Sequence, residues 1–236
     1  MQYACSAFVI GLLILAHEAG HFAAARLARV PVLRFSIGFG PKLISWQHGG
    51  TEYRVSWIPL GGYVVPGFRK MEEYLDIALW RRWTISLGGP IANILVTLLL
   101  FAALNAAHGE HSLYGIFILP WRELANLMTE MGQGLSAIFA HPDQLSSVVG
   151  VVAFGGRSVD DGLISALNFF ILISANLAIV NMLPMPPLDG GKMVVDLLHR
   201  LQPRFVRAYV PIMACGWFML LGIIAYATVL DVARFV

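Results

Sequence analysis

Four stretches of the chain, at about 3–28, 83–107, 163–183 and 209–230, are almost continuously apolar or small. A helix needs about 20 apolar residues to cross a bilayer, so each stretch predicts a transmembrane helix. Between the first two the pattern changes. Residues 33–37, 42–46 and 53–58 are short runs of β-type, the last alternating apolar and polar, and His48-Gly49-Gly50-Thr51 between them is a turn signal. A curled β-hairpin over 32–65 is expected. Its apolar content implies that it dips into the membrane, which requires protein or a water cavity to satisfy its backbone. Between the second and third stretches, Leu124, Leu127, Met128, Met131, Leu135, Ile138 and Phe139 recur every three or four residues, with Arg122, Glu123 and Glu130 among them. This predicts an amphipathic helix over 121–139, lying on the outer membrane surface or packed on the spans. The expected fold is a polytopic α-helical membrane protein. It is a single domain over 1–236, with four transmembrane helices, a membrane re-entrant β-hairpin and an outer-surface amphipathic helix.

Composition agrees with this reading. The chain is 58% hydrophobic and 13% charged, whereas soluble domains carry about 25% charged residues. That excludes a disordered chain, a coiled coil and an ordinary soluble enzyme. A net charge of +2 gives no footing for a nucleic-acid partner. The placement of charge is more informative than its sum. Arg26, Arg29, Arg34, Lys42, Arg54, Arg69, Lys70, Arg81 and Arg82 dominate the first connection, and Lys192, Arg200, Arg204 and Arg207 the third. The second is acidic, with Glu110, Glu123, Glu130, Asp143, Asp160 and Asp161. The positive-inside rule then puts the first and third connections in the cytoplasm and both termini outside. The first stretch lacks a basic n-region and an obvious cleavage site, so it reads as a retained helix rather than a signal peptide. Cys5 and Cys215 sit in apolar runs and are expected to be buried thiols without a disulfide framework.

His17-Glu18-Ala19-Gly20-His21 is an HExxH sequence. On a helix the two imidazoles are one turn apart and share a face, so both reach one metal ion; Glu18 stands beside the first and can address a water there. The setting sharpens the signal, because ionisable groups inside a transmembrane helix are costly and functional by default. A hydrogen-bonded polar cluster between helices is the plainer reading. Zinc needs a third protein ligand. The best candidate is Asp189, in Asn181-Met182-Leu183-Pro184-Met185-Pro186-Pro187-Leu188-Asp189-Gly190-Gly191, which closes the third span on the same side. Prolines end the helix there and glycines allow a sharp turn. The competing role for Asp189 is to start a turn or cap a helix over 192–201.

With these residues the chain resembles the site-2 proteases, zinc intramembrane metalloproteases, and within them the bacterial regulator-of-sigma-E-protease branch. The resemblance rests on HExxH, on Arg34-Phe35-Ser36-Ile37-Gly38-Phe39-Gly40, on Ile58-Pro59-Leu60-Gly61-Gly62-Tyr63-Val64, on Gly88-Gly89-Pro90-Ile91-Ala92-Asn93 and on the 181–191 run, five motifs in order. It implies one Zn²⁺ held by His17, His21 and Asp189, with Glu18 as catalytic base. It implies that Asn176, Asn181, Pro184 and Pro186 help to accommodate a substrate strand, that 34–65 is the re-entrant β-hairpin of the family, and that Gly89 and Asn93 are its GxxxN motif, a structural pair. Members of this branch usually carry PDZ domains between spans two and three. Here that connection has about 55 residues and no PDZ-like string of strands, so any gating ascribed to such domains does not carry over.

The implied activity is hydrolysis of peptide bonds within or near the transmembrane segment of a single-span protein, an anti-sigma-factor-like protein or a remnant signal peptide, in the bacterial inner membrane. His17 falls about 14 residues into its span, roughly 21 Å deep at 1.5 Å per residue. Of a core of about 30 Å, that leaves it nearer the cytoplasmic boundary. Membrane lipid is the other partner, and the oligomeric state stays open. The rival readings are a metal-ion or proton transporter and an inactive scaffold that binds helices without cutting them.

Overall fold

The computed structural model describes residues 1–68, 70–140, 147–202 and 206–235; the side chains at 59–60, 134–140, 148–149, 206–207 and 234–235 lie outside the description. So do Arg69, Asp143 and Arg204, and the side chains of Arg207, Leu135, Ile138 and Phe139, which carried part of the charge and periodicity arguments.

The elements are α1 (Gln2–Leu27), β1 (Val32–His48), β2 (Thr51–Pro66), α2 (Met71–Leu75), α3 (Leu79–Ala107), α4 (Leu113–Phe117), α5 (Leu119–Ala140), α6 (Val148–Asp160), α7 (Leu163–Asn181), α8 (Asp189–Leu201) and α9 (Val206–Phe235). Four segments are long and apolar enough to span a membrane: Gln2–Leu27, Leu79–Ala107, Leu163–Asn181 and Ala208–Ala233. They match the four expected stretches within a few residues. Contacts group the chain into two compact units.

The first unit comprises Met1–Val9, Ile94–Asn176 and Phe218–Val236. Its core joins Leu98, Phe101 and Leu104 of α3 to Leu124 of α5 and Ile171 of α7, with Leu127 and Met128 packed against them. Leu124, Leu127 and Met128 of the apolar face of α5 therefore pack on protein. Asn105 donates to the Gly115 carbonyl and to Glu123 Oε2, both at 3.0 Å, tying the end of α3 to α4 and α5. The α6 helix was not expected. Its Val- and Gly-rich start has little helical propensity of its own. It begins where the buried Asp231 carboxylate of α9 accepts from Ser147 N (2.6 Å) and Gly150 N (3.1 Å), a cap supplied from far along the chain.

The second unit comprises Ile10–Asn93 and Leu177–Trp217. Here α1 ends in a left-handed residue, Arg29 (φ 54°), after which Val30 N bonds back to Ala25 O at 2.8 Å. The chain turns directly into β1. Strands β1 and β2 pair antiparallel through the turn at Gly49 and Gly50 (φ 55° and 78°), values that a side chain resists and a tight hairpin requires. The register shifts repeatedly, so residues 34–37 have partners on both sides: 52–55 and 62–65. The sheet is thus curled, with 34–37 inside it. Its far half is exposed, and Leu43, Ile44, Trp46, Trp57 and Ile58 stand on that part. Arg26 holds the turn to α1 through Thr51 Oγ1 at 2.9 Å.

Cys5 and Cys215 are free, as expected, but both are exposed rather than buried. Apolar runs predict burial in a soluble core; on a spanning helix the outward face is equally apolar.

Candidate metal centre

Two glycines bring the HExxH helix against α3. A Cβ at Gly20 would strike the Gly88 carbonyl, and one at Gly88 would strike the Gly20 carbonyl. The helix backbones therefore meet where Gly20 sits between the two histidines. One residue further on, a Cβ at Gly89 would lie 2.5 Å from Nε2 of both His17 and His21. Glycine at 89 leaves room for the imidazoles.

Among the described residues, one group of metal-capable side chains converges: His17, His21 and Asp189. His17 Nε2, His21 Nε2 and Asp189 Oδ2 lie 3.1 Å from one another on all three sides. The three residues are 7%, 9% and 3% exposed, so water does not screen them. α1 contributes the histidines; Asp189 is the first residue of α8, after the Pro-rich turn. Gly190 and Gly191 pack onto the backbone of Met182, Leu183 and Met185, which only glycine allows, and this close return aims the carboxylate. Asp189 is the first residue of α8 and faces the imidazoles; the cap position of that helix belongs to Leu188, and the helix starts three residues earlier than the 192–201 expected.

Further contacts fix the histidines. His21 Nδ1 is 2.7 Å from the Ile85 carbonyl, so Nδ1 carries the proton and Nε2 presents its lone pair. The Asn93 amide lies 3.2 Å from His17 Nδ1. Its oxygen and nitrogen interchange by a flip, so it can accept the Nδ1 proton and leave His17 Nε2 equally free. Three lone-pair atoms at 3.1 Å repel one another unless a cation sits among them. A four-coordinate zinc with ligand atoms about 2.0–2.1 Å away holds them about 3.3 Å apart. The donor set, its spacing and the Gly89 opening fit that ion.

Glu18 is half-buried on the same helix, within electrostatic reach of His17, His21, Lys192 and Asp189. Lys192, one turn into α8, was not expected at the site. Its Nζ donates to Asp189 Oδ1 at 3.0 Å, leaving Oδ2 to the imidazoles. The i,i+3 spacing from Asp189 was the signal for it, readable only once the helix is known to start at 189.

The residues expected to meet substrate are spread more widely. Asn181 donates its amide to the Leu177 carbonyl at 2.8 Å, which leaves its oxygen as the available acceptor. Pro184 is exposed, and Pro186 presses its carbonyl onto Gly216 of α9. Asn176, exposed on α7, belongs to the first unit.

The profile of "Peptidase family M50" matches residues 5–223. The chain belongs to this family. Relatives include a Treponema pallidum protein named "Putative zinc metalloprotease", 38% identical over 48% of this chain and 28% of its own length. Metalloprotease MmpA of Caulobacter vibrioides is 35% identical over 43% of this chain and 33% of its own length. A Campylobacter jejuni protein, again named a "Putative zinc metalloprotease", is 26% identical over 100% of this chain and 94% of its own length. The chain spans a third or less of the length of the first relatives it matches. With four helices of spanning length, this member of family M50 is a membrane protein.

Proposed function

We propose that the chain is an intramembrane zinc endopeptidase of the site-2 type, in which His17, His21 and Asp189 hold one Zn²⁺ and Glu18 moves the proton. The convergence of His17, His21 and Asp189 within 3.1 Å, buried and beside a glycine that leaves them space, carries this reading. Bound there, zinc supplies a Lewis acid that polarises the scissile carbonyl and makes water nucleophilic at neutral pH. Glu18 takes the proton from the attacking water and returns it to the leaving amine nitrogen. Ile85 and Asn93 keep the imidazoles in the tautomer that faces the ion, and Lys192 keeps Asp189 on one oxygen.

The substrate is a single-span membrane protein, cut within or near its transmembrane segment. Its helix must open before attack, since each peptide carbonyl is already bonded within it. An opened strand in lipid needs partners for its N–H and C=O groups. Residues 62–65 can provide them by strand addition. They pair with 34–37 on one side, and no strand covers their other side among the described residues. Gly61 and Gly62 rest on Ile14 and Leu15, one turn before His17, so this edge begins close to the catalytic helix. The oxygen of Asn181 is a second acceptor for the strand. The exposed tryptophans and aliphatic side chains of the outer hairpin suit a segment that enters the bilayer. The charge pattern supports an inner-membrane placement with termini outside and the site toward the cytoplasm.

Reconstituted chain and a panel of single-span proteins in liposomes test the proposal. Glu18→Gln should reduce turnover by at least about 10³-fold while zinc content stays at one per chain. Metal flux that survives Glu18→Gln, without cleavage by the native chain, would instead make the protein a transporter.

A further inference from the structure

We infer that the buried Arg82–Asp196 pair is a positioning device for the metal centre: it sets the register between α3 and α8, and so where Asp189 meets the two histidines. The inference rests on the zinc reading above and adds to it residues that touch neither ion nor substrate.

Arg82 Nη1 donates to Asp196 Oδ1 at 2.9 Å, and the two residues are 2% and 0% exposed. The Tyr74 hydroxyl donates to the other oxygen, Oδ2, at 3.0 Å, and its ring lies 5.6 Å from the guanidinium. The next residue of α3, Trp83, donates its indole N–H to the Met193 carbonyl of α8 at 3.2 Å. Two consecutive residues of α3 therefore grip α8 at 196 and 193. Further along the same helix, Ile85, Gly89 and Asn93 bracket His21 and His17. As the number rises on α3 it falls on α8, so the two segments run side by side in opposite senses.

Seven residues separate Arg82 from Gly89, and seven separate Asp196 from Asp189. At 1.5 Å per residue each interval is about 10.5 Å, and seven residues return to nearly the same helix face. A pin at one end of this ladder fixes the other. A slip of one residue would carry Asp189 about 1.5 Å along the axis, whereas a metal site tolerates about 0.5 Å.

The chemistry of the pair also points to register rather than to stability. Apolar side chains of similar volume commonly replace a buried ion pair at no cost or with gain. Arg82 Nε is moreover buried with no hydrogen-bond partner among the described residues. What a directional pair supplies, and an apolar contact does not, is a single allowed alignment.

The test uses the full chain in detergent, loaded with Co²⁺ for its visible spectrum and with Zn²⁺ for chelator competition. The double variant Arg82→Met/Asp196→Leu removes both charges, leaving neither orphaned. It should keep its helical circular dichroism, bind zinc at least tenfold more weakly and shift the Co²⁺ bands. Native affinity together with a native spectrum would overturn the inference and leave the pair as architecture alone. If the double variant does not fold, Tyr74→Phe decides: it removes one hydrogen bond from Asp196 and should weaken zinc two- to fivefold with a measurable band shift, and no change in either would overturn the inference. A native chain that takes up no Co²⁺ would defeat the metal-centre reading itself, an outcome distinct from these.

Discussion

Gly20 and Gly88 block each other's side chains reciprocally: a Cβ on either would collide with the other's carbonyl. Two helix backbones can approach this closely only through glycine, as in small-residue crossings of membrane helices. The crossing places α3 alongside both imidazoles, with Gly89 as the floor of the centre. Gly89→Ala would introduce a Cβ 2.5 Å from Nε2 of each histidine. Retained zinc, measured by atomic absorption after purification, should fall at least tenfold, while helical circular dichroism stays near native. Full zinc content in this variant would contradict the geometry.

Asn93 is fully buried, with its amide against His17 Nδ1. Loss of the group that orients a ligating histidine typically weakens metal about 10–100-fold. Asn93→Ala should show that loss in chelator competition. Asn93→Asp, which keeps an acceptor for the Nδ1 proton, should lose less than the alanine variant. Equal affinities for native chain and alanine variant would remove Asn93 from the site.

Strand addition predicts a difference between two substitutions at one position. Tyr63 lies on the 62–65 edge, opposite Ser36. Tyr63→Pro removes a backbone N–H and fixes φ, whereas Tyr63→Ala removes only the side chain. Initial-rate measurements on a single-span substrate should show a larger drop in kcat/KM for proline than for alanine, by about tenfold. Equal effects would point to side-chain contacts instead.

The parts of this protein readable in its sequence are those governed by local pattern. The four spans announce themselves by length and apolarity. The hairpin is marked by Gly49 and Gly50, and HExxH reads at a glance because helical periodicity alone puts His17 and His21 on one face. Asp189 was a candidate because zinc demands a third ligand and the Pro- and Gly-rich turn that carries it closes the third span on the side of His17 and His21. The rest depends on long-range partners. α6 is helical with a Val- and Gly-rich start, and Asp231, more than 80 residues away, caps it. Lys192 and Arg82 read as ordinary positive-inside charges, and their roles depend on where α8 starts and how it lies along α3. Cys5 and Cys215 misled because apolar neighbours signal burial in water but not in lipid.

Zinc K-edge X-ray absorption of the purified chain reads the proposed ligand set itself. The expected result is one zinc per chain with a nitrogen and oxygen shell at about 2.0–2.1 Å, two imidazoles in its outer-shell scattering, and loss of that signal in His17→Ala, His21→Ala and Asp189→Ala. A shell without imidazole, or one unchanged in Asp189→Ala, would contradict it.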